Sequence, residues 1–213
     1  MMIGVLVAGG ELENKELFKK YIEKADFSVA VDSGAKVFFK NKILPNLLVG
    51  DLDSIDKESL KYFEENNIKI DKYPCEKDLT DLEIGLNSLI NNGCDKLYAL
   101  GTIGSRIDHS VANIMILKKM YDLGYNCYMI NDKNRVQYIE ANKEVSIKKD
   151  YENISIIPLS EKGINVTLVG FYYTITDYEM ELGSTTGISN YLVKDFGTIK
   201  LNRGRALIIE SND

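Results

Sequence analysis

Leu47-Leu48-Val49-Gly50-Asp51-Leu52-Asp53-Ser54 is a short apolar run that ends in a glycine and then two carboxylates one residue apart. The apolar part predicts a strand buried on both faces. If the chain stays extended, residues i and i+2 face the same way, so Asp51 and Asp53 point at one target. Clustered carboxylates repel one another, and a hard divalent cation such as Mg²⁺ compensates them most economically. The bland alternative is a solvated acidic turn. The decision comes from the rest of the chain, because the same pattern recurs. Ile3 to Ala8 runs into Gly9-Gly10, Phe27 to Val31 into Asp32-Ser33-Gly34, and Leu97 to Leu100 into Gly101. Tyr125 to Ile130 is a further strand, and Ile68 to Ile70 a shorter one.

Between these runs the apolar spacing is helical. Leu17, Phe18, Tyr21 and Ile22 define one face, and Ala35 to Lys42 and Leu60 to Asn66 are further helical stretches. Leu82, Leu86, Leu89 and Ile90 define another face behind a Thr80/Glu83 capping box. Ile107, Val111, Ile114 and Met115 form the apolar face of a last helix, ending near Gly124. Strands alternating with helices predict a doubly wound, mostly parallel sheet with helices on both faces. From about Arg135 the pattern turns to short β pieces: Glu144–Lys148, Ile154–Pro158, Ile164–Val169, Glu179–Leu182, Leu192–Phe196, Thr198–Leu201 and Ala206–Glu210. Gly163, Gly197 and Gly204 punctuate them as turn residues, which predicts an antiparallel β-sandwich. The expected division is an α/β domain over residues 1–133 and a β-sandwich domain over residues 134–213.

A chain of 213 residues is long enough to bury a proper core. Its net charge of −6 argues against a general nucleic-acid or membrane-surface binder, since phosphate-backbone affinity needs concentrated Lys and Arg. Cys75, Cys94 and Cys127 lack metal-like spacing and read as free thiols of a reducing compartment. The first residues lack a basic leader and no apolar run approaches membrane-spanning length, so a cytoplasmic location is expected.

In an open α/β sheet, ligands sit beyond the carboxyl ends of the strands. The polar clusters of the first half fall there: Gly9-Gly10, Asp32-Ser33-Gly34, Gly50 to Ser54, Lys77-Asp78-Leu79-Thr80-Asp81 and Gly101 to Asp108. Together they favour a metal-centred site. Each has a plainer explanation too. Asp78, Thr80 and Asp81 suit a helix N-terminus, and Gly101-x-x-Gly104 suits an ordinary strand-to-helix turn. Arg106 can grip a phosphate in two places or pair with Asp108. His109, the only histidine, suits packing or hydrogen bonding as well as catalysis. With no second His or nearby Cys, a zinc site or a Ser/His/Asp triad is poorly supported. A Walker-type phosphate loop is absent from the sequence.

Asp51-Leu52-Asp53-Ser54, Lys77-Asp78-Leu79-Thr80-Asp81, Arg106-Ile107-Asp108-His109 and Thr185-Thr186-Gly187-Ile188-Ser189-Asn190, in that order, resemble the motifs of thiamin pyrophosphokinases. Gly170-Phe171-Tyr172-Tyr173 is similar to that family's glycine-to-tyrosine turn. Ser105 is a departure, since many members carry a second glycine there. The resemblance implies an ATP- and Mg²⁺-binding α/β domain, a thiamin-binding β-sandwich, and a homodimer with thiamin held between subunits. It implies that Asp51, Asp53 and Asp81 bear on Mg²⁺ with Asp78 nearby, these four forming the catalytic set. It further implies that Asp32, Thr80, Arg106 and Asp108 contact ATP or substrate, and that Ser189 and Asn190 contact thiamin. The implied reaction is attack of the thiamin hydroxyl on the β-phosphorus of ATP with AMP leaving, and Asp81 or Asp78 accepting the proton. The thiamin pyrimidine would stack on an aromatic side chain, with Tyr191 the candidate. Two other readings stay open: a different Mg²⁺-dependent nucleotide-using transferase or phosphohydrolase, and a non-catalytic thiamin or nucleotide sensor of the same fold.

Overall fold

The structure is a computed structural model and describes residues 1–73 and 79–213. The chain divides into two compact units, Met1–Asp132 and Lys133–Asp213.

In the first unit, strands β1 (Ile3–Val7), β2 (Phe27–Val31), β3 (Leu47–Gly50), β4 (Lys69–Lys72), β5 (Lys96–Leu100) and β6 (Asn126–Ile130) pair in parallel in the order β4-β3-β2-β1-β5-β6. Helices α1 (Lys15–Ile22), α2 (Ala35–Asn41), α3 (Lys57–Glu65), α4 (Asp81–Asn91) and α5 (Ile107–Asp122) connect them. The period-two geometry of β1 separates the two layers. Val5 and Val7 join the core with Phe18 and Tyr21 of α1, Phe38 of α2 and Phe63 of α3. Leu6, facing the other way, lies against Gly85 of α4 together with Val31. The sheet is therefore doubly wound. Helix α3 begins earlier than the apolar spacing suggested, at Lys57, because Asp56 caps it: its carboxylate accepts from Ser59 N–H at 2.9 Å. That bond, with a second from the Ser59 hydroxyl, holds the Asp56 carboxyl below the usual carboxylate range.

The second unit is all antiparallel. Strands β7 (Asn134–Glu140), β9 (Asn153–Pro158) and β13 (Arg205–Ser211) pair in the order β7-β13-β9. Strands β8 (Lys143–Lys148), β10 (Ile164–Val169), β11 (Ile175–Met180) and β12 (Phe196–Arg203) pair in the order β11-β10-β12-β8. Inward residues of both layers, among them Ile139, Ile156, Ile164, Val166, Ile199 and Ile208, form one core. This is the expected sandwich.

Several details differ from the sequence reading. β7 was not anticipated, because Asn134, Arg135 and Gln137 hide its alternation. Arg135 opposes Glu210 of β13 and donates to its fully buried carboxylate, Nε to Oε1 at 2.6 Å. Burial pushes the Glu210 carboxyl up while Arg135 pulls it down. β11 lies over Ile175–Met180 rather than Glu179–Leu182. Leu192–Phe196 is not a strand; Leu192 makes a single bridge to Phe171. Gly197 is no turn but lies inside β12, where a Cβ would stand 2.3 Å from Leu192 Cδ2. Its missing side chain is what lets Leu192 pack.

Candidate active site

The strand order of the first unit reverses between β1 and β5, and at such a switch point the loops diverge to leave a crevice. A cleft of about 760 Å³ opens there, lined by Gly9 and Gly10 after β1, Asp32 and Ser33 after β2, Thr80 and Asp81 at the start of α4, and the segment from Gly101 to Asn113. Of the residues named from sequence, Asp32, Thr80, Asp81, Arg106 and Asp108 meet on its wall. Asp78 lies outside the described residues. Ser189 and Asn190 belong to the second unit.

Asp51 and Asp53 are not on the wall, and the extended geometry expected for them is not found. Strand β3 stops at Gly50, Leu52 takes a left-handed φ of 69°, and Asp51 Oδ1 accepts from Asp53 N–H at 3.0 Å. This is an Asx-type turn, which competes with strand geometry in short acidic segments. The turn nevertheless abuts the cleft. Gly50 has a φ of 141°, and a Cβ there would fall 1.8 Å from Asp32 Oδ1, so glycine makes room for the Asp32 carboxylate. Among the described residues, no group of three His, Cys, Asp or Glu side chains could by itself hold a metal ion.

Thr80 caps α4 as expected, its hydroxyl oxygen accepting from Glu83 N–H at 3.3 Å. The Glu83 carboxylate pairs with Lys119 of α5. Arg106 and Asp108 are exposed and form a two-point pair, Nε to Oδ1 at 3.3 Å and Nη2 to Oδ2 at 2.7 Å. Hydrogen bonding to Arg106, then to His109 N–H, holds the Asp108 carboxyl below its ordinary range, and Asp108 raises the Arg106 guanidinium in turn. The pair fixes the plane of the guanidinium at the cleft wall.

Both glycines of the Gly101-x-x-Gly104 turn spend their N–H groups inside the protein. Gly10 N–H donates to Gly101 O (2.7 Å), Glu11 N–H to Ile103 O (3.1 Å), Gly101 N–H to Ile130 O (3.0 Å) and Gly104 N–H to Ser110 Oγ (3.1 Å). With the N–H groups of both loop glycines committed internally, the strand-to-helix turn is the reading that fits, and Arg106 is the cationic side chain that the loop brings to the cleft. Most of the apolar face expected for α5 is turned outward, with Ile107 77% exposed, Val111 50% and Met115 46%, while Ile114 is half-buried. The side that packs carries Ser110, Leu117 and Met120.

In the second unit, Asn190 is only 7% exposed and its side chain is engaged with backbone. Its Oδ1 accepts from Tyr173 N–H (3.1 Å) and Tyr191 N–H (2.9 Å), and its Nδ2 donates to Tyr173 O (2.9 Å). This holds Tyr191 in a stack on Tyr172, with ring centroids 4.7 Å apart and 18° between planes. Ser189 is exposed, with a left-handed φ of 56°.

Two family models match the chain: the catalytic domain of thiamin pyrophosphokinase over residues 18–129 and the vitamin B1 binding domain of thiamin pyrophosphokinase over residues 138–205. The thiamine pyrophosphokinase of Bacillus subtilis is 31% identical over 210 residues, covering 98% of each chain. The chain belongs to the thiamin pyrophosphokinase family. Solved thiamin pyrophosphokinases share its whole fold. The Bacillus subtilis structure superposes with a TM-score of 0.86 at 30% identity, covering 100% of both chains. That of Geobacillus thermodenitrificans gives 0.85 at 28%, covering 100% of this chain and 98% of the other. The catalytic-domain match spans the cleft-lining residues after β2, at the start of α4 and after β5, and also the Asp51–Asp53 turn beside them.

Proposed function

We propose that the cleft of the first unit binds ATP with Mg²⁺ and that the second unit supplies the thiamin-recognising surface for the family reaction. That reaction is ATP-dependent transfer of a pyrophosphoryl group to the hydroxyl of thiamin, giving thiamin diphosphate and AMP. The observation that carries the reading is the convergence of Asp32, Thr80, Asp81 and Arg106 on one cleft at the strand switch point.

In the chemistry, the thiamin hydroxyl oxygen forms a bond to the β-phosphorus while the bond from that phosphorus to the α-phosphate bridging oxygen breaks. The hydroxyl proton passes to a carboxylate, Asp81 or Asp78. Little covalent work falls to the protein in such a transfer, so positioning and charge compensation dominate. Arg106, held flat by Asp108, meets phosphate oxygens on which charge accumulates. Thr80 uses its oxygen as a helix cap and keeps its proton for a phosphate. Asp51, Asp53 and Asp81 are hard oxygen donors of the kind Mg²⁺ takes one or two at a time, filling its shell with phosphate oxygens and water rather than with a protein cage. Bound there, Mg²⁺ would neutralise phosphate charge and polarise the transferred group.

On the second unit, the exposed Ser189 hydroxyl is the direct polar contact for thiamin, and Asn190 contributes by ordering Tyr173 and Tyr191. The stacked Tyr172 and Tyr191 rings offer a flat face to the pyrimidine. The reading also carries a homodimer with thiamin between subunits and a cytoplasmic location. The buried free thiols Cys94 and Cys127 support the latter, as does the lack, among the described residues, of a helix long and apolar enough to cross a membrane.

The test is Asp51→Asn. It should lower turnover by about 100-fold or more while leaving the circular dichroism spectrum and the melting temperature near those of the wild type, because it weakens metal binding and not the core. Wild-type turnover in this variant would contradict the metal assignment.

A further inference from the structure

The side of α5 that faces the cleft loop is polar, and what it touches is backbone. Ser110 Oγ accepts from Gly104 N–H at 3.1 Å, and as a donor it lies 3.0 Å from each of two acceptors, the carbonyl oxygens of Gly104 and Arg106. One turn on, Asn113 Nδ2 donates to Thr102 O at 2.7 Å. With Gly10 and Glu11 holding the carbonyls of Gly101 and Ile103, consecutive carbonyls from 101 to 104 are each hydrogen-bonded. The loop's position is imposed, at some cost: Thr102 is 4% exposed and its hydroxyl has no hydrogen-bond partner among the described residues. A buried unsatisfied hydroxyl calls for an explanation, and a loop fixed by other demands provides one. At the end of this loop stands Arg106, which is also the N-cap residue of α5.

We propose that Ser110 and Asn113 are positioning residues that clamp the 101–106 loop so that Arg106 enters the cleft from a rigid base. The proposal rests on Arg106 acting on ATP phosphates. Neither residue has to touch substrate. The clamp matters because Arg106 is the cationic side chain of the 101–106 loop, so the placement of its guanidinium is what the loop brings to an anion. Misplacement of such a group by a fraction of an ångström to an ångström is expensive in rate.

The experiment is a double-mutant cycle on purified protein with ATP, Mg²⁺ and thiamin, reading kcat and KM for each substrate. Ser110→Ala and Asn113→Asp are made in the wild type and in Arg106→Ala. Asn113→Asp removes the donor at nearly constant volume. Each should lower kcat/KM for ATP by about tenfold in the wild type and by less than about twofold in the Arg106→Ala background, with KM for thiamin unchanged. Ser110→Thr should restore activity to within about threefold of wild type, since threonine can make the same bond to the carbonyl four residues back. Should Ser110→Ala fail to fold, Asn113→Asp decides. Equal losses in both backgrounds, or none in either, would overturn the clamp and leave the reading of Arg106 standing. If Arg106→Ala itself left kcat/KM for ATP unchanged, the role of Arg106 and the purpose of the clamp would fall together.

Discussion

Helices α4 and α5 both start at the cleft, and both show an apolar stripe in sequence, yet the two stripes meet opposite fates. On α4, Leu82, Leu86 and Leu89 are buried against the sheet, at 6%, 0% and 0% exposure. On α5, Ile107, Val111 and Met115 lie outside, and the packed side is the stripe Ser110, Asn113, Leu117 and Met120. The difference lies in what each helix covers. α4 lies on strands whose backbone groups are already paired, so its contact face has only apolar side chains to meet. The first half of α5 lies on a loop whose carbonyls need donors, so its contact face has to be polar there, turning apolar only at Leu117 and Met120. Apolar periodicity reports that a helix has a face. It does not say whether the apolar face or its neighbour is the one that packs.

Two substitutions sharpen this contrast. Leu86→Ala should destabilise the protein by about 3 kcal/mol in denaturant unfolding, the cost of a cavity at a fully buried leucine. Met115→Gln, which preserves helix propensity, should change stability by no more than about 0.5 kcal/mol. A loss of several kcal/mol from Met115→Gln would mean that the outer face of α5 is covered in solution, and the contrast between the helices would then collapse.

Where the sequence was legible, the physics was strong and local. Continuous apolar runs ending in glycine or aspartate can hardly be anything but strands of a covered parallel sheet, and β1, β2 and β3 follow within a residue. Thr80 announced its cap because a side-chain oxygen before an apolar period has few other uses. Polar contacts over distance were illegible. Arg135 looks like a residue that ends a pattern until Glu210, across the ladder, gives it a partner inside a strand. The left-handed Leu52 that folds Asp53 back onto Asp51 carries no residue signal, because glycine or asparagine would have been the usual marker. Ser110 and Asn113 were missed for a different reason. Their spacing with Leu117 and Met120 is a regular helical stripe, readable in principle, but two polar members kept it from being taken as a contact face. Asn190, expected at the ligand, also serves the backbone of two tyrosines, a role that its sequence context does not announce.

The most direct test is to incubate the purified protein with ATP, Mg²⁺ and thiamin and identify the nucleotide released. AMP formed together with thiamin diphosphate, and only when thiamin and Mg²⁺ are both present, is the predicted result. ADP with thiamin monophosphate would place the attack on the γ-phosphorus and contradict the account. Tight thiamin binding without turnover would contradict it as well, pointing to a sensor built on the same fold.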